Sequence, residues 1–441
     1  MRAKNGGFGR KRYPLFYTHL STTCFHTHED KKIAKACGDI KLSLSSTPLS
    51  LSLVPFQIKE LKPMKISCTQ ENLHQGLSIT SHLVTKNVNL PILQNVLVKA
   101  EGGIVKFTAT NLEIAINCSV RGKIDEQGEF TIPSKLFFDY VSLLPNEVIH
   151  LETNGDQVLV SCGGHKTKIH GMSATDFPLV PKVEGDMSFQ IPIDDLKSAL
   201  SQVLFSVATN ESRPELTGVF MHFYPFGQEM RLTLATTDSY RLSEKTIPVT
   251  SGPSQDFRVV IPAKTLSEVS RILSVFRDEV DLPSYITMQV KQNQVVFMYG
   301  PVELVSRTIE ENYPDYEQII PKQFQTEAVV DRDDFLKAVK TASLFSKNGL
   351  FDVTLAFSPS EKRVSVKAID ATRGENTTTC EADISGAENT VTVNFRYLLD
   401  GLQSMSGDQI LFQMIDASNP CLLTTKDRPN EHRYIVMPIK Q

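Results

Sequence analysis

The sequence predicts an α+β chain of three structurally similar domains, and three observations carry that expectation. From Met64 onward one pattern recurs: a β-prone run, a polar capping stretch, then an amphipathic helix opening on an apolar anchor. The anchors Leu73, Leu196 and Phe335 stand 123 and 139 residues apart, too long for a solenoid unit and suited to a whole domain. Later landmarks keep step. Strands end at Asn111, Asp238 and Asp370, 127 and 132 residues apart, and second helices open beside Lys135, Lys264 and Arg396, 129 and 132 apart. Each copy also alternates helices of 3.6-residue period with runs of period two, as an α+β domain requires. The expected limits are an extension over 1–63 and domains over 64–184, 185–323 and 324–441.

The elements follow in order. A helix over 71–84 is the weakest of six, because Gly76 lies inside it. The stretch 134–144 carries Leu136, Phe137, Tyr140, Val141 and Leu144. Residues 194–205 place Leu196, Ala199, Leu200, Val203 and Leu204 on one face, and 264–276 does the same with Leu266, Val269, Leu273 and Phe276. Phe335, Leu336, Val339 and Leu344 mark a helix over 333–345, and Leu398, Leu399, Leu402 and Met405 one over 396–405. Alternating runs at 151–161 and 286–297 predict hairpins with polar turns. Gly163-Gly164-His165-Lys166-Thr167 is expected to be such a turn. A phosphate loop needs Gly-Lys-Ser/Thr contiguous, and Leu159 stands where its first glycine belongs.

Composition narrows the class. With 41% hydrophobic and 22% charged residues in 441, the chain reads as an ordinary soluble protein, and no apolar run is long enough for a membrane span. Seven cysteines at irregular spacings suggest no disulfide framework and point to a reducing cytoplasm. Residues 1–63 hold 11 Lys+Arg against 4 Asp+Glu, while the rest is acidic. That segment is Ser/Thr-rich, lacks a sustained amphipathic pattern and is expected to be poorly ordered. It reads either as a transit peptide or as the product of a misassigned start codon. Cys24, His26, His28 and Cys37 match no zinc spacing, and neither a metal nor a cofactor is expected.

No nucleophile elbow, zincin motif, dinucleotide fingerprint or Cys-x-x-Cys occurs, which disfavours an enzyme although triads are not local in sequence. Lys197, Lys264, Arg271, Lys337, Lys340, Lys347 and Arg396 lie on or beside the helices of an acidic body. They are either solvated helix faces or a lining for a polyanion. Without zinc fingers or basic zippers, a nucleic-acid partner would be held by its backbone and shape.

Four stretches carry a resemblance: N-L-P-I-L-Q-N (Asn89 to Asn95), A-T-T-D-S-Y-R-L (Ala235 to Leu242), N-Y-P-D-Y-E-Q-I-I-P (Asn312 to Pro321) and Y-I-V-M-P-I (Tyr434 to Ile439). In that order, the chain from Met64 to Gln441 resembles the bacterial β sliding clamps of DNA polymerase III. The resemblance implies a non-enzymatic, head-to-tail homodimer forming a six-domain ring whose helices line a hole around duplex DNA. Implied partners are the polymerase III catalytic subunit, an ATP-dependent clamp loader and repair proteins, all in the cytoplasm and none in a membrane. It leaves 1–63 outside the family pattern.

A peptide pocket between domains two and three would comprise Leu216, Thr237, Ser239, Tyr240, Arg241, Leu242, Pro314 and Ile319. Asn394, Tyr397, Pro420, Ile435, Met437, Pro438 and Ile439 would complete it. Tyr240 stands where the family often has His, and the chain ends Lys440-Gln441 where some relatives end Arg-Leu. Thr167 and Ile169 would meet Leu344 and Phe345 of a second copy, with Thr167 less apolar than a common family choice. DNA contacts are expected at Lys86, Asn87, Asn210 and Arg213, and at Lys197, Lys264, Arg271, Lys337, Lys340 and Arg396. The alternative is a repeat-built scaffold that does not enclose DNA.

Overall fold

The computed structural model describes residues 63–84, 90–181, 185–210, 212–276, 282–347 and 349–440. The chain divides into two units, 1–59 and 60–441, and every described residue belongs to the second. Cys24, His26, His28, Cys37, Lys86 and Asn87 lie outside the described residues.

Six α-helices appear among the described residues, two per copy: α1 (Gln70–Thr80), α2 (Ser134–Ser142), α3 (Ile193–Val203), α4 (Ala263–Val275), α5 (Arg332–Ser343) and α6 (Phe395–Ser404). Local chemistry starts three of them. Thr69 Oγ1 accepts from the Asn72 amide, Asp331 Oδ1 from those of Asp333 and Asp334, and Asn394 Oδ1 from that of Arg396. The apolar faces then settle on sheets: α1 on Ile104–Thr110 and Ile114–Val120, α3 on Arg241–Val249, α5 on Gly374–Gly386. Gly76, which weakened the first helix in the sequence, has a packing reason. A Cβ there would meet Val120 Cγ2 at 2.5 Å.

The helix expected over 71–84 ends at Thr80, continuing only as a 3-10 turn, Ser81–Leu83. A second difference concerns α2. Phe137 and Val141 are buried, but Leu136 is exposed, so adjacent apolar residues could not share one face. Both expected hairpins form, as Val148–Asn154 with Gln157–Cys162 and Tyr285–Lys291 with Gln294–Tyr299. Gly163, at φ 52°, turns the chain from Gln157–Cys162 into His165–His170.

Sheet topology shows how the copies join. Val302–Arg307 of the second copy pairs antiparallel with Ile114–Val120 of the first, Val302 opposite Cys118 and Ser306 opposite Ile114, within an eight-stranded sheet. His432–Val436 of the third pairs in the same way with Arg241–Val249 of the second, Arg241 opposite Val436 and Lys245 opposite His432. One strand joint is therefore used twice. At the chain's two ends the equivalent edges are unpaired among the described residues. His165–His170 borders the five-stranded sheet, and the first half of Gly374–Gly386 pairs only with Arg363–Asp370.

The second joint buries a titratable group. His432 is buried with Nε2 3.0 Å from Ser243 Oγ, whose own proton goes to the Gln202 carbonyl. An unfolded imidazole takes its proton near pH 6.5. Burial, with repulsion from Lys245, holds His432 down at about 3. Between those limits the unfolded chain binds a proton that the folded joint refuses. Stability therefore falls as pH drops below about 6.5, at about 1.4 kcal/mol per pH unit, and this residue has no effect above it. At pH 5 the parent should have lost about 2 kcal/mol that His432→Gln keeps, measured by urea unfolding at pH 7 and pH 5. Equal losses in both proteins would exclude the assignment.

Candidate functional site

At the second joint, the strand register places side chains from both copies around one cavity. The turn Thr237-Asp238-Ser239-Tyr240-Arg241 is closed by its own polar groups. Thr237 Oγ1 donates to the Arg241 carbonyl at 2.7 Å, and Asp238 Oδ1 accepts from the amides of Tyr240 and Arg241. Ser239 takes φ 77°, which turns the chain so that Arg241 enters the strand pointing at the third copy. There its guanidinium donates to Asp238 Oδ2 at 2.9 Å, Asp400 Oδ2 at 2.5 Å and the Phe205 carbonyl at 2.6 Å. It also lies 4.7 Å from the Tyr397 ring centroid, and Tyr397 stacks on Tyr240 at 6.4 Å.

The cavity has a volume of about 190 Å³. Leu216, Thr237, Ser239, Arg241, Pro314, Ile319, Ile435 and Met437 line it, as the resemblance implied. Arg213, Asp315 and Tyr316 line it too, although the sequence reading left them out of the pocket. Leu242 is a correction. It is fully buried beneath the site with Ala235, Tyr316, Leu422 and Ile435, so it forms the floor and core of the joint. Asn394 caps α6, while the Pro438 bridge to Val393 and the Ile439 amide donating to Thr392 hold the segment just after His432–Val436 that carries Met437. The Met437 amide itself donates to the Tyr240 carbonyl at 2.9 Å. Pro420 is half-buried immediately before the strand Cys421–Thr425. Desolvation raises the Tyr313 and Tyr316 hydroxyls far above the ordinary phenol range, so both stay neutral in the joint.

The expected DNA set divides. Lys264, Lys337, Lys340 and Arg396 are exposed, Lys197 is half-buried, and Asn210 is exposed in the loop after α3. Arg213 is turned to the pocket, bonding Glu215 Oε1 at 2.9 Å and reaching Ser239 Oγ. Arg271 is committed to the first joint. It donates to the Ser78 and Ile79 carbonyls at the end of α1, at 3.2 and 2.7 Å, and to Glu268, which also meets His82 Nδ1 at 2.7 Å. It acts there as a helix cap, not as a free cation.

At the chain's ends, Ile169 is buried in the first copy's core and Thr167 half-buried, because alternation points both inward. The strand edge is what stays free. Leu344 is 66% exposed and Phe345 half-buried. Leu136, Leu143, Leu350 and Ile369 are also exposed, Leu143 to 83%. An apolar residue outside its helix's stripe is the signal that could have found Leu136.

Three α+β copies joined strand to strand, with helices paired on their sheets, define a DNA clamp. The chain belongs to the DNA polymerase III beta subunit family. It matches that family's N-terminal domain over residues 64–181, its central domain over 190–315 and its C-terminal domain over 317–440. It is 31% identical to the beta sliding clamp of Synechococcus elongatus, covering 86% of this chain and 99% of that one. Against the beta sliding clamp of Caulobacter vibrioides identity is 28%, over 86% and 100%. The solved sliding clamp of Bacillus subtilis superposes with a TM-score of 0.79 at 27% identity, over 86% and 99%. A clamp from Bartonella birtlesii, solved bound to griselimycin, does so at 0.79 with 26% identity, over 86% and 100%. The resemblance read from the four motifs is borne out.

The two joint arginines should act locally. Arg241→Met leaves Asp238, Asp400 and the Phe205 carbonyl without their donor and should cost about 2 kcal/mol. Hydrogen exchange should quicken in α6 and the 237–242 turn, whereas Arg271→Met should quicken it at the end of α1. Exchange unchanged in both variants would remove the arginines from the joints.

Proposed function

We propose that this chain is a sliding clamp that closes with a second copy, head to tail, into a six-domain ring around duplex DNA. It thereby tethers the replicative polymerase to its template. The single observation that carries this reading is the twice-used strand joint with its two leftover edges. A third and fourth joint, each between His165–His170 of one copy and the first half of Gly374–Gly386 of another, satisfy both edges and close the ring. Exposed Leu136 and Leu143 at one end and Leu344, Leu350 and Ile369 at the other supply the apolar contact. Domain limits of 64–184, 185–323 and 324–441 belong to the same proposal.

Lys197, Lys264, Lys337, Lys340 and Arg396 are the cations offered to phosphates, and they read no sequence. The protein works in the cytoplasm by enclosure, without catalysis of its own, so an ATP-dependent loader must open it. The second-joint pocket docks a short linear segment of the polymerase catalytic subunit, the loader or repair proteins, with Met437 adapting to different side chains.

Two expected outcomes test this reading. Loaded on nicked circular DNA with a clamp loader and ATP, the protein should resist salt on the circle and leave when the circle is cut. Leu143→Arg with Leu344→Arg should sediment as a monomer and show no retention; equal loss of the parent from circle and line would leave a scaffold. Separately, Met437→Ala with Ile319→Ala should weaken binding of a polymerase-derived peptide at least tenfold, or about 1.4 kcal/mol, with the dimer intact. Unchanged affinity in calorimetry would reject the pocket.

A further inference from the structure

The first joint carries a cavity of its own, about 390 Å³, that nothing above assigns. It is built from the positions that build the second-joint pocket. The turn Thr110-Asn111-Leu112-Glu113-Ile114 repeats the turn at 237–241 bond for bond. Thr110 Oγ1 donates to the Ile114 carbonyl at 2.9 Å, and Asn111 Oδ1 accepts from the amides of Glu113 and Ile114. Leu112 takes φ 77°, the same angle as Ser239. Pro178 follows Phe177 as Pro314 follows Tyr313, and each proline lines its cavity. Val305 lies opposite Ala115 as Ile435 lies opposite Leu242, which makes Arg307 the counterpart of Met437.

The chemistry differs in one way that identifies an occupant. At the second joint the arginine stands at the turn, and its donors are taken by Asp238, Asp400 and Phe205. At the first joint the turn position is Ile114, and the guanidinium has moved to the far rim as Arg307. Arg307 is exposed on the cavity, which Glu113 also lines, and no salt bridge to Arg307 is found among the described residues. Leu112, 51% exposed, and Leu179, 97% exposed, stand free on the same cavity. Together the two leucines give the cavity an apolar rim that a partner's apolar side chains can cover.

We propose that the first joint is a second docking pocket, for an extended peptide segment of a partner protein that carries apolar side chains beside a carboxylate. The apolar side chains cover Leu112 and Leu179, and the carboxylate meets Arg307. Two unlike pockets per chain would let partners with acidic and non-acidic segments occupy one clamp together. The assignment rests on reading the second-joint cavity as a peptide pocket, and the test keeps the two apart.

The full chain carrying Met437→Asp, which disables the second pocket, is panned with a displayed library of random ten-residue peptides. Selected peptides are then titrated by fluorescence polarisation. Peptides pairing acidic with apolar residues are expected, losing affinity at least tenfold on Leu179→Glu or Arg307→Glu. A lysine in place of the peptide's acid should restore binding to Arg307→Glu. Both side chains are exposed, so circular dichroism should be unchanged. No selected peptide distinguishing the parent from the Leu179→Glu, Arg307→Glu double variant overturns the proposal. So do peptides indifferent to Arg307→Glu, which would leave the stated chemistry without support. Panning the Arg307→Glu chain with Met437 intact reports on the second pocket alone, so its failure is read separately.

Discussion

An unpaired strand edge is the constraint on which this structure turns. Main-chain N–H and C=O groups along a strand must find partners, and an exposed row of them invites another chain. Within the chain the problem is solved twice, by Val302–Arg307 on Ile114–Val120 and by His432–Val436 on Arg241–Val249. Each solution welds one copy's sheet to the next and fixes the angle between copies. In the proposed ring, closure by a second copy would pair the two equivalent edges left at the chain's ends. A ring would then be the form in which this repeated pairing ends, as a barrel is for a single sheet.

One device recurs where the first helix of each copy ends, and two of its three instances fall at the joints. The first helix of every copy ends in carbonyls that lack an amide partner and carry the negative end of the helix dipole. An arginine answers each: Arg271 at the end of α1, Arg241 on the Phe205 carbonyl after α3, and Arg373 on the Leu344 carbonyl after α5. They come from different elements, Arg271 from α4 of the next copy, Arg241 and Arg373 from their own copies' turns. What recurs is therefore the electrostatic requirement. Arg241 adds Asp400 of the third copy, so one side chain ends a helix, closes a turn and crosses a joint.

Much of this was legible in the sequence because helices and turns are local. Asn111, Asp238 and Asp370 stood out as landmarks, and each proves to be the acceptor that folds its own turn. Six helices were legible from their stripes, to within a few residues at their ends. Pairing was not legible. Nothing in the sequence of Val302–Arg307 says that it meets a strand nearly 190 residues earlier, because a strand's own residues leave its partner open. That is why the burial of Leu242 beneath the pocket, the packing of Ile169 into the first copy's core and the capping bonds of Arg271 were not legible. In each case the neighbour that decides the role comes from a distant strand or another copy.

The placement of charge bears on how the proposed ring would hold DNA and still move. Exposed lysines sit in high dielectric, and Lys337 already shares its charge with Asp334 at 3.3 Å. Each such cation offers a phosphate well under a kcal/mol or so, and the offer weakens with salt. A lining of that kind cannot anchor a polyanion, but it can keep one centred while contacts exchange. Retention then has to come from closure, which returns the burden to the strand joints. The internal joints are covalently continuous and locked by Arg241 and Arg271, whereas the proposed joint between copies would rest on strand edges and exposed leucines such as Leu143 and Leu344. In the proposed ring the joint between chains would then be the one that opens most readily, and the place for a loader to act.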